Sequence, residues 1–163
     1  MFQTPKIFSQ LGGESGIYQT VAMMIQIVNE SFLHPYIRER AANLAGHCAR
    51  SLNCEHLALL GWVNSRMNFI QDPYGVESLF HPINVEENLR SSDTNVPGDC
   101  DDMAMYLAAL LKSIGHNPAF RVIGKNSSQL HHVMVNCHRQ NLDPTVGRIV
   151  DDPVAREMFF PIE

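Results

Sequence analysis

Apolar residues recur at helical spacing through the first half of the chain. Ile17, Val21, Met24, Ile25, Val28 and Phe32 share one face and predict an amphipathic helix. Ser15 stands where a cap would, and His34-Pro35 where that helix must stop. Pro35 then suits the first position of a second helix, striped by Ile37, Ala41, Leu44, Ala45 and Cys48. A third helix is predicted from Asn53 to about Phe69, carrying Leu57, Leu60, Trp62, Val63 and Met67. Asp72-Pro73-Tyr74-Gly75 is a turn signal. Residues 76–97 hold two prolines and few periodic apolar positions, and read as an irregular connection wrapping the core.

The second half changes period. Met103, Leu107, Leu110, Leu111 and Ile114 mark an amphipathic helix behind Asp99-Cys100-Asp101-Asp102. Asp99 at the cap and Asp102 three residues on resemble a capping box. Gly115 is placed to end the helix, with Pro118 just beyond. Strands are then predicted over Ala119–Ile123, Leu130–Cys137 and Asn141–Asp143, with a polar hairpin loop over 124–129. Helices, one central helix and then an antiparallel meander make an α+β arrangement.

The length of 163 residues suits a single domain, 1–163, whose residues 1–75 form a helical N-terminal part. A core of that size needs no metal or disulfide staple. Apolar residues at 45% and charged residues at 18% exclude wholesale disorder. Twelve basic against 17 acidic side chains give a net charge of −5, which argues against a nucleic-acid or anionic-membrane partner. No basic segment followed by an apolar run opens the sequence, so no secretory signal is expected. Val21–Val28 is too short to cross a bilayer, and Gln26 interrupts it. The expectation is a cytoplasmic protein whose cysteines Cys48, Cys54, Cys100 and Cys137 are thiols.

Three places carry candidate chemistry. Cys100 opens the central helix, where partial positive charge and free N–H groups favour a thiolate. His131-His132 starts a strand, and a histidine against the sulfur can take its proton and later deliver it to a leaving group. Asp143 ends the next strand, and a carboxylate on the far ring nitrogen fixes the tautomer. Cys100 lies 32 residues before His132, and Asp143 lies 11 beyond it, so the three meet only through the fold.

Gly98-Asp99-Cys100-Asp101-Asp102 with the helix to Gly115 resembles the cysteine motif of the transglutaminase-like superfamily. His132-Val133-Met134-Val135 resembles its histidine motif, and Leu142-Asp143-Pro144-Thr145 its aspartate motif. All three occur in the family's order, across about 30% of the chain between 98 and 145. The stretch from Trp62 through Phe69-Ile70-Gln71-Asp72-Pro73 to Glu77 is similar, less specifically, to the lead-in of small bacterial and phage-encoded members. The resemblance implies a papain-like core, with the cysteine helix packed on an antiparallel sheet that carries the histidine and the aspartate. It also implies acyl transfer from an amide through a thioester, ending in hydrolysis or transamidation. By the same analogy, a phage or prophage particle protein that processes or binds a virion or wall component fits either an enzyme or a binding module.

Each residue also has a plainer reading. Cys100 could be a small core residue, and Asp143 before Pro144 a turn-initiating acid. His131 and His132 alternate faces of a strand, so only one can meet Cys100, and the family motif favours His132. Asp99, Asp101 and Asp102 place negative charge near the sulfur, which raises a thiol pKa. The chemistry therefore requires that Asp99 and Asp102 act as caps, with Asp101 on the rim. The Cys100 N–H is one oxyanion donor, and Gln71, Asn68, Tyr74 and Trp62 are candidates for the second, with Gln71 favoured.

His47-Cys48 with Cys54 and His56, or Cys137-His138, could hold a metal. No C-x-x-C or H-E-x-x-H spacing supports it, so no metal and no cofactor are expected. Cys48, Cys137 and the methionines are read as core. The leading expectation is a thiol hydrolase of protein or peptide amides using Cys100, His132 and Asp143. A glutamine transamidase and a binding module without turnover are the alternatives. The absence of a D-x-[DN]-x-[DN]-G calcium loop favours hydrolysis.

Overall fold

The structure, a computed structural model, describes residues 4–9, 13–124 and 130–163. The loop expected over 124–129 lies mostly outside these residues. In chain order, β1 (Lys6–Ser9) precedes α1 (Gly13–Ser31), α2 (Pro35–Ala45), α3 (Leu52–Arg66) and β2 (Met67–Phe69). β3 (Val76–Leu79), α4 (Pro82–Ser92), β4 (Val96–Gly98) and α5 (Cys100–Ser113) follow. The chain then continues through β5 (Ala119–Gly124), β6 (His132–Cys137), β7 (Gln140–Asp143), β8 (Arg148–Ile149) and β9 (Arg156–Pro161). The class is α+β, as the patterning predicts.

The first three helices form for the reasons their sequences state. α1 buries Val21, Met24, Ile27 and Val28, but it starts at Gly13 with φ +64°, two residues before the expected Ser15 cap. Pro35 opens α2, and the His34 ring accepts from the Tyr36 N–H at 3.2 Å. Ser51 caps α3, with its hydroxyl accepting from the Cys54 N–H at 3.4 Å. α3 stops at Arg66, not Phe69, because Met67–Phe69 pairs in parallel with Val96–Gly98. That partner lies some thirty residues away, and local periodicity cannot reveal it. Leu57, assigned to the buried stripe of α3, is exposed.

Residues 76–97 are not irregular. They hold β3, α4 and β4. Each of the two prolines starts or edges an element: Pro82 takes the first position of α4, and Pro97 lies in the short β4. Asp93 ends α4 in the left-handed region at φ +51°. β3 pairs antiparallel with β1.

α5 is the centre of the molecule. Every residue from Asp102 to Leu111 is buried. A helix apolar on all sides must be enclosed, and here α1, α2, α3 and α4 pack around it while β6 and β5 close the remaining face. The sheet runs β8-β7-β6-β5-β9, and all its pairings are antiparallel. The expected strands are its three central members. β8 and β9 extend it at both edges, and Phe160 of β9 also packs against the core.

One charge sits inside the helical half. Glu86 of α4 is fully buried and accepts from Arg40 Nε at 3.0 Å, from Arg90 Nε at 3.1 Å and from the Tyr106 hydroxyl. Tyr106 in turn accepts from Trp62 Nε1 at 3.0 Å, and the Arg40 guanidinium lies 4.3 Å from the centre of the indole. The network ties α2, α3, α4 and α5 together through one carboxylate. Removing one partner strands the others, which costs about 3–5 kcal/mol. Glu86→Ala is therefore expected to lower unfolding stability by about that amount, measured by urea titration. A loss under about 1 kcal/mol, the value of a surface pair, would show that the network is not what binds the helices.

Candidate active site

The approach to Cys100 is set by its neighbours. Asp99 caps α5 by accepting from the N–H groups of Asp101 at 3.0 Å and Asp102 at 3.2 Å. Asp102 returns the contact by accepting from the Asp99 N–H at 3.2 Å, and its other oxygen takes the Phe80 N–H at 2.7 Å. The capping box read from the sequence is thus complete. Gly98 is required beside it, since a Cβ there would lie 2.9 Å from Asp102 Cβ and 2.7 Å from Met67 Cε. Cys100 becomes the first residue of α5, half-buried, on the wall of a cleft of about 570 Å³. The Val133 N–H of β6 is directed at its sulfur, a donor that the residue pattern gave no sign of.

His132 lines the same cleft. Its Nε2 meets Asp143 Oδ2 at 2.8 Å, because antiparallel pairing of β6 with β7 brings the start of one strand beside the end of the other. The second Asp143 oxygen accepts from the Thr145 N–H at 3.0 Å and the Thr145 hydroxyl at 2.7 Å. Burial opposes ionisation of Asp143, but the bonds to His132 and Thr145 outweigh it and hold its carboxyl below the usual range. His131 is exposed, and its N–H bonds the Ile123 carbonyl at 2.9 Å. The structure thus brings His132, not His131, to the aspartate.

Acids surround the sulfur. Asp72, Glu77, Asp99 and Asp101 all line the cleft. Burial first, then the Asp101 charge, pushes the Cys100 thiol well up, and its proton faces Asp101 Oδ1 at 3.7 Å. Asp101 is therefore against the sulfur, where the sequence reading placed it on the rim. Asp101 and Glu77 share a hydrogen bond, so one of the two must hold a proton. Burial and the charges of Asp99 and Glu77 raise Asp101 far enough for it to be the donor. Burial, with the charges of Asp99 and Asp72, raises Glu77 to about 7. Asp99, buried near Asp72, is raised to about 6. Neither Glu77 nor Asp72 carries a predicted site role, because no local signal shows that β3 and the turn before it face the α5 terminus.

The proposed oxyanion donors separate. Gln71 and Tyr74 lie on the cleft wall. Trp62 is committed to Tyr106, and the Asn68 side-chain oxygen accepts from Asn95 at 3.1 Å. The cysteines also divide differently from expectation. Cys137 is buried and free, as predicted, but Cys48 and Cys54 are joined in a disulfide, with Cα atoms 5.4 Å apart. The turn between α2 and α3, with Ala49 and Arg50 in the left-handed region, folds the two together. Such a bond belongs in an oxidising setting, against the expected reduced thiols. His56 does not join His47, Cys48 and Cys54; it lies with His116, Cys137 and His138. Among the described residues no helix is long and apolar enough to cross a membrane.

No family model and no curated protein matches the chain. A solved structure of a candidate cysteine protease from Cytophaga hutchinsonii aligns at 14% identity with a TM-score of 0.48. The alignment covers 78% of this chain and 45% of that one, so this chain spans less than half the length of that protein. A likeness of this degree says nothing of activity.

The raised carboxyls make a prediction. Between its unfolded pKa near 4.5 and its folded value of about 7, Glu77 binds more protons folded than unfolded. Its protonation thus favours the fold at low pH, and that contribution is lost as pH rises through about 7. His56 and His81, held neutral by burial, act in the opposite sense, so a variant comparison is needed. Glu77→Gln is expected to have a higher melting temperature than the parent at pH 8, with the difference shrinking as pH falls and vanishing below the unfolded pKa of 4.5. A difference independent of pH would contradict the assignment.

Proposed function

We propose that the protein is a cysteine-dependent hydrolase of amide or peptide bonds. The observation that carries this reading is that Cys100, at a helix N-terminus, and His132, held by Asp143, face one cleft. Asp143 occupies Nε2 of His132, which leaves Nδ1 to exchange protons with the sulfur. Because burial and the carboxylates favour the neutral thiol, His132 takes the proton as the sulfur attacks, not beforehand. The sulfur bonds the carbonyl carbon, and the Cys100 N–H, free at the first helical position, receives the oxyanion with Gln71 as the second donor. Collapse breaks the C–N bond, and His132 returns its proton to the departing amine. Water then attacks the thioester while His132 accepts its proton, releasing the carboxylic acid and restoring the thiol.

The acid-lined cleft favours one variation. Asp72, Glu77 and Asp99 would draw a protonated amine toward the thioester, so transamidation by a primary amine is the second reading. The same charge disfavours acidic substrates.

A peptide-library screen tests both. Cleavage is expected in the parent, none in Cys100→Ala, and about 10²–10⁴-fold slower turnover in His132→Ala. Transamidation would appear as incorporation of a labelled primary amine in place of cleavage. Peptides bound equally by parent and Cys100→Ala, with no bond broken, would mean a binding module that keeps the fold without turnover.

A further inference from the structure

At the far end of the β6–β7 hairpin from His132 lies a second cluster. His56 of α3, His116 after α5, Cys137 at the end of β6 and His138 in the hairpin turn each present one ligand atom. These atoms all lie within 4.8 Å of one another. We propose that these four side chains form a structural zinc site that fastens the helical half to the sheet.

The tautomers favour metal over a plain histidine cluster. The Gln140 nitrogen is engaged with Asn53 Oδ1 at 3.3 Å, so its oxygen faces His56 Nδ1 at 2.6 Å and places a proton there. His56 Nε2 therefore carries a lone pair. It is fully buried, points into the cluster and has no hydrogen-bond partner. An unsatisfied buried polar atom is costly, and a bound cation would satisfy it. Glu55 Oε2 lies 2.7 Å from His116 Nε2, which fixes the proton on that nitrogen and leaves Nδ1 with a lone pair facing His138 Nε2. His56 and His116 thus each have an amide or carboxylate oxygen behind the ring, the arrangement that orients histidines on zinc.

The remaining geometry agrees. Zinc bonds of about 2.0–2.3 Å place the corners of a tetrahedron about 3.3–3.8 Å apart. His116 Nδ1 and His138 Nε2 are 3.1 Å apart and share a hydrogen bond, so zinc would replace the shared proton and part the two nitrogens slightly. The three rings surround one point, with centroid separations of 5.2, 5.7 and 5.2 Å. The Asn117 N–H is directed at the Cys137 sulfur. His138 and Arg139 occupy consecutive left-handed positions, φ +48° and +64°, where a hairpin turn ordinarily uses asparagine or glycine. Coordination of His138 would offset that strain. Three imidazoles and one thiolate suit zinc among common cations, and four protein ligands leave no open position, which marks a structural and not a catalytic centre.

The test is metal content and spectroscopy on the full chain, purified without a histidine tag and independent of any peptidase assay. One zinc per chain is expected. Cobalt exchange should give tetrahedral visible bands with a thiolate-to-metal charge-transfer band. Cys137→Ser should abolish that band, and His138→Ala, on an exposed residue that leaves the core intact, should cut bound zinc to a small fraction. Glu55→Gln should weaken zinc affinity about 10–100-fold. Cys100→Ala should retain the full metal content, which separates this site from the proposed catalytic thiol. A chain that binds no zinc and shows no rise in melting temperature on zinc addition would overturn the proposal. So would zinc retained in Cys137→Ser and His138→Ala but lost in Cys48→Ser.

Discussion

The enclosure of α5 on every side is the constraint on which the rest of the structure depends. Ten consecutive residues, Asp102–Leu111, have no solvent face. Such a helix is stable only when neighbours bury it completely. Four helices and the sheet therefore converge on it. The capping box and the close approach of Gly98 to Asp102 then fix the rotation of its first turn. Cys100 is the one residue of the turn left at the cleft with a sulfur in reach of solvent. The position of the thiol is in this sense a consequence of core packing.

The molecule handles buried acids in two opposite ways. Glu86 is given two guanidinium groups and a hydroxyl, and serves as a tie between helices. Around Cys100, burial and neighbouring carboxylates instead raise the proton affinity of Glu77, Asp99 and Asp101. The first arrangement trades desolvation against pairing; the second stores proton affinity beside the Cys100 thiol. That difference is why the same residue type is structural in α4 and chemically suggestive in β3.

The β6–β7 hairpin connects the two candidate centres. One end holds His132 against Asp143; the other holds Cys137, His138 and Gln140 against α3 and the α5 terminus. A short antiparallel pair transmits register over its whole length, since a one-residue slip would reverse every side chain. Whatever pins the turn at His138 therefore also fixes which of His131 and His132 meets Asp143.

Much of this was legible in the residues alone. Helical spacing identified α1, α2, α3 and α5, and the Asp99/Asp102 pair marked the start of α5, because these signals are local. The family resemblance picked His132 and Asp143 as partners, and the structure brings those two together. What stayed hidden depends on contacts between distant segments. β2 exists because β4 lies beside it, and Glu77 matters because β3 delivers it to the end of α5. The Cys48–Cys54 bond needs a turn that returns on itself. His56, His116, Cys137 and His138 are spread over more than eighty residues with no metal-binding spacing, and only the closing of α3 on the hairpin gathers them. Sequence periodicity reports which face of an element is buried; only the tertiary structure decides what that face meets.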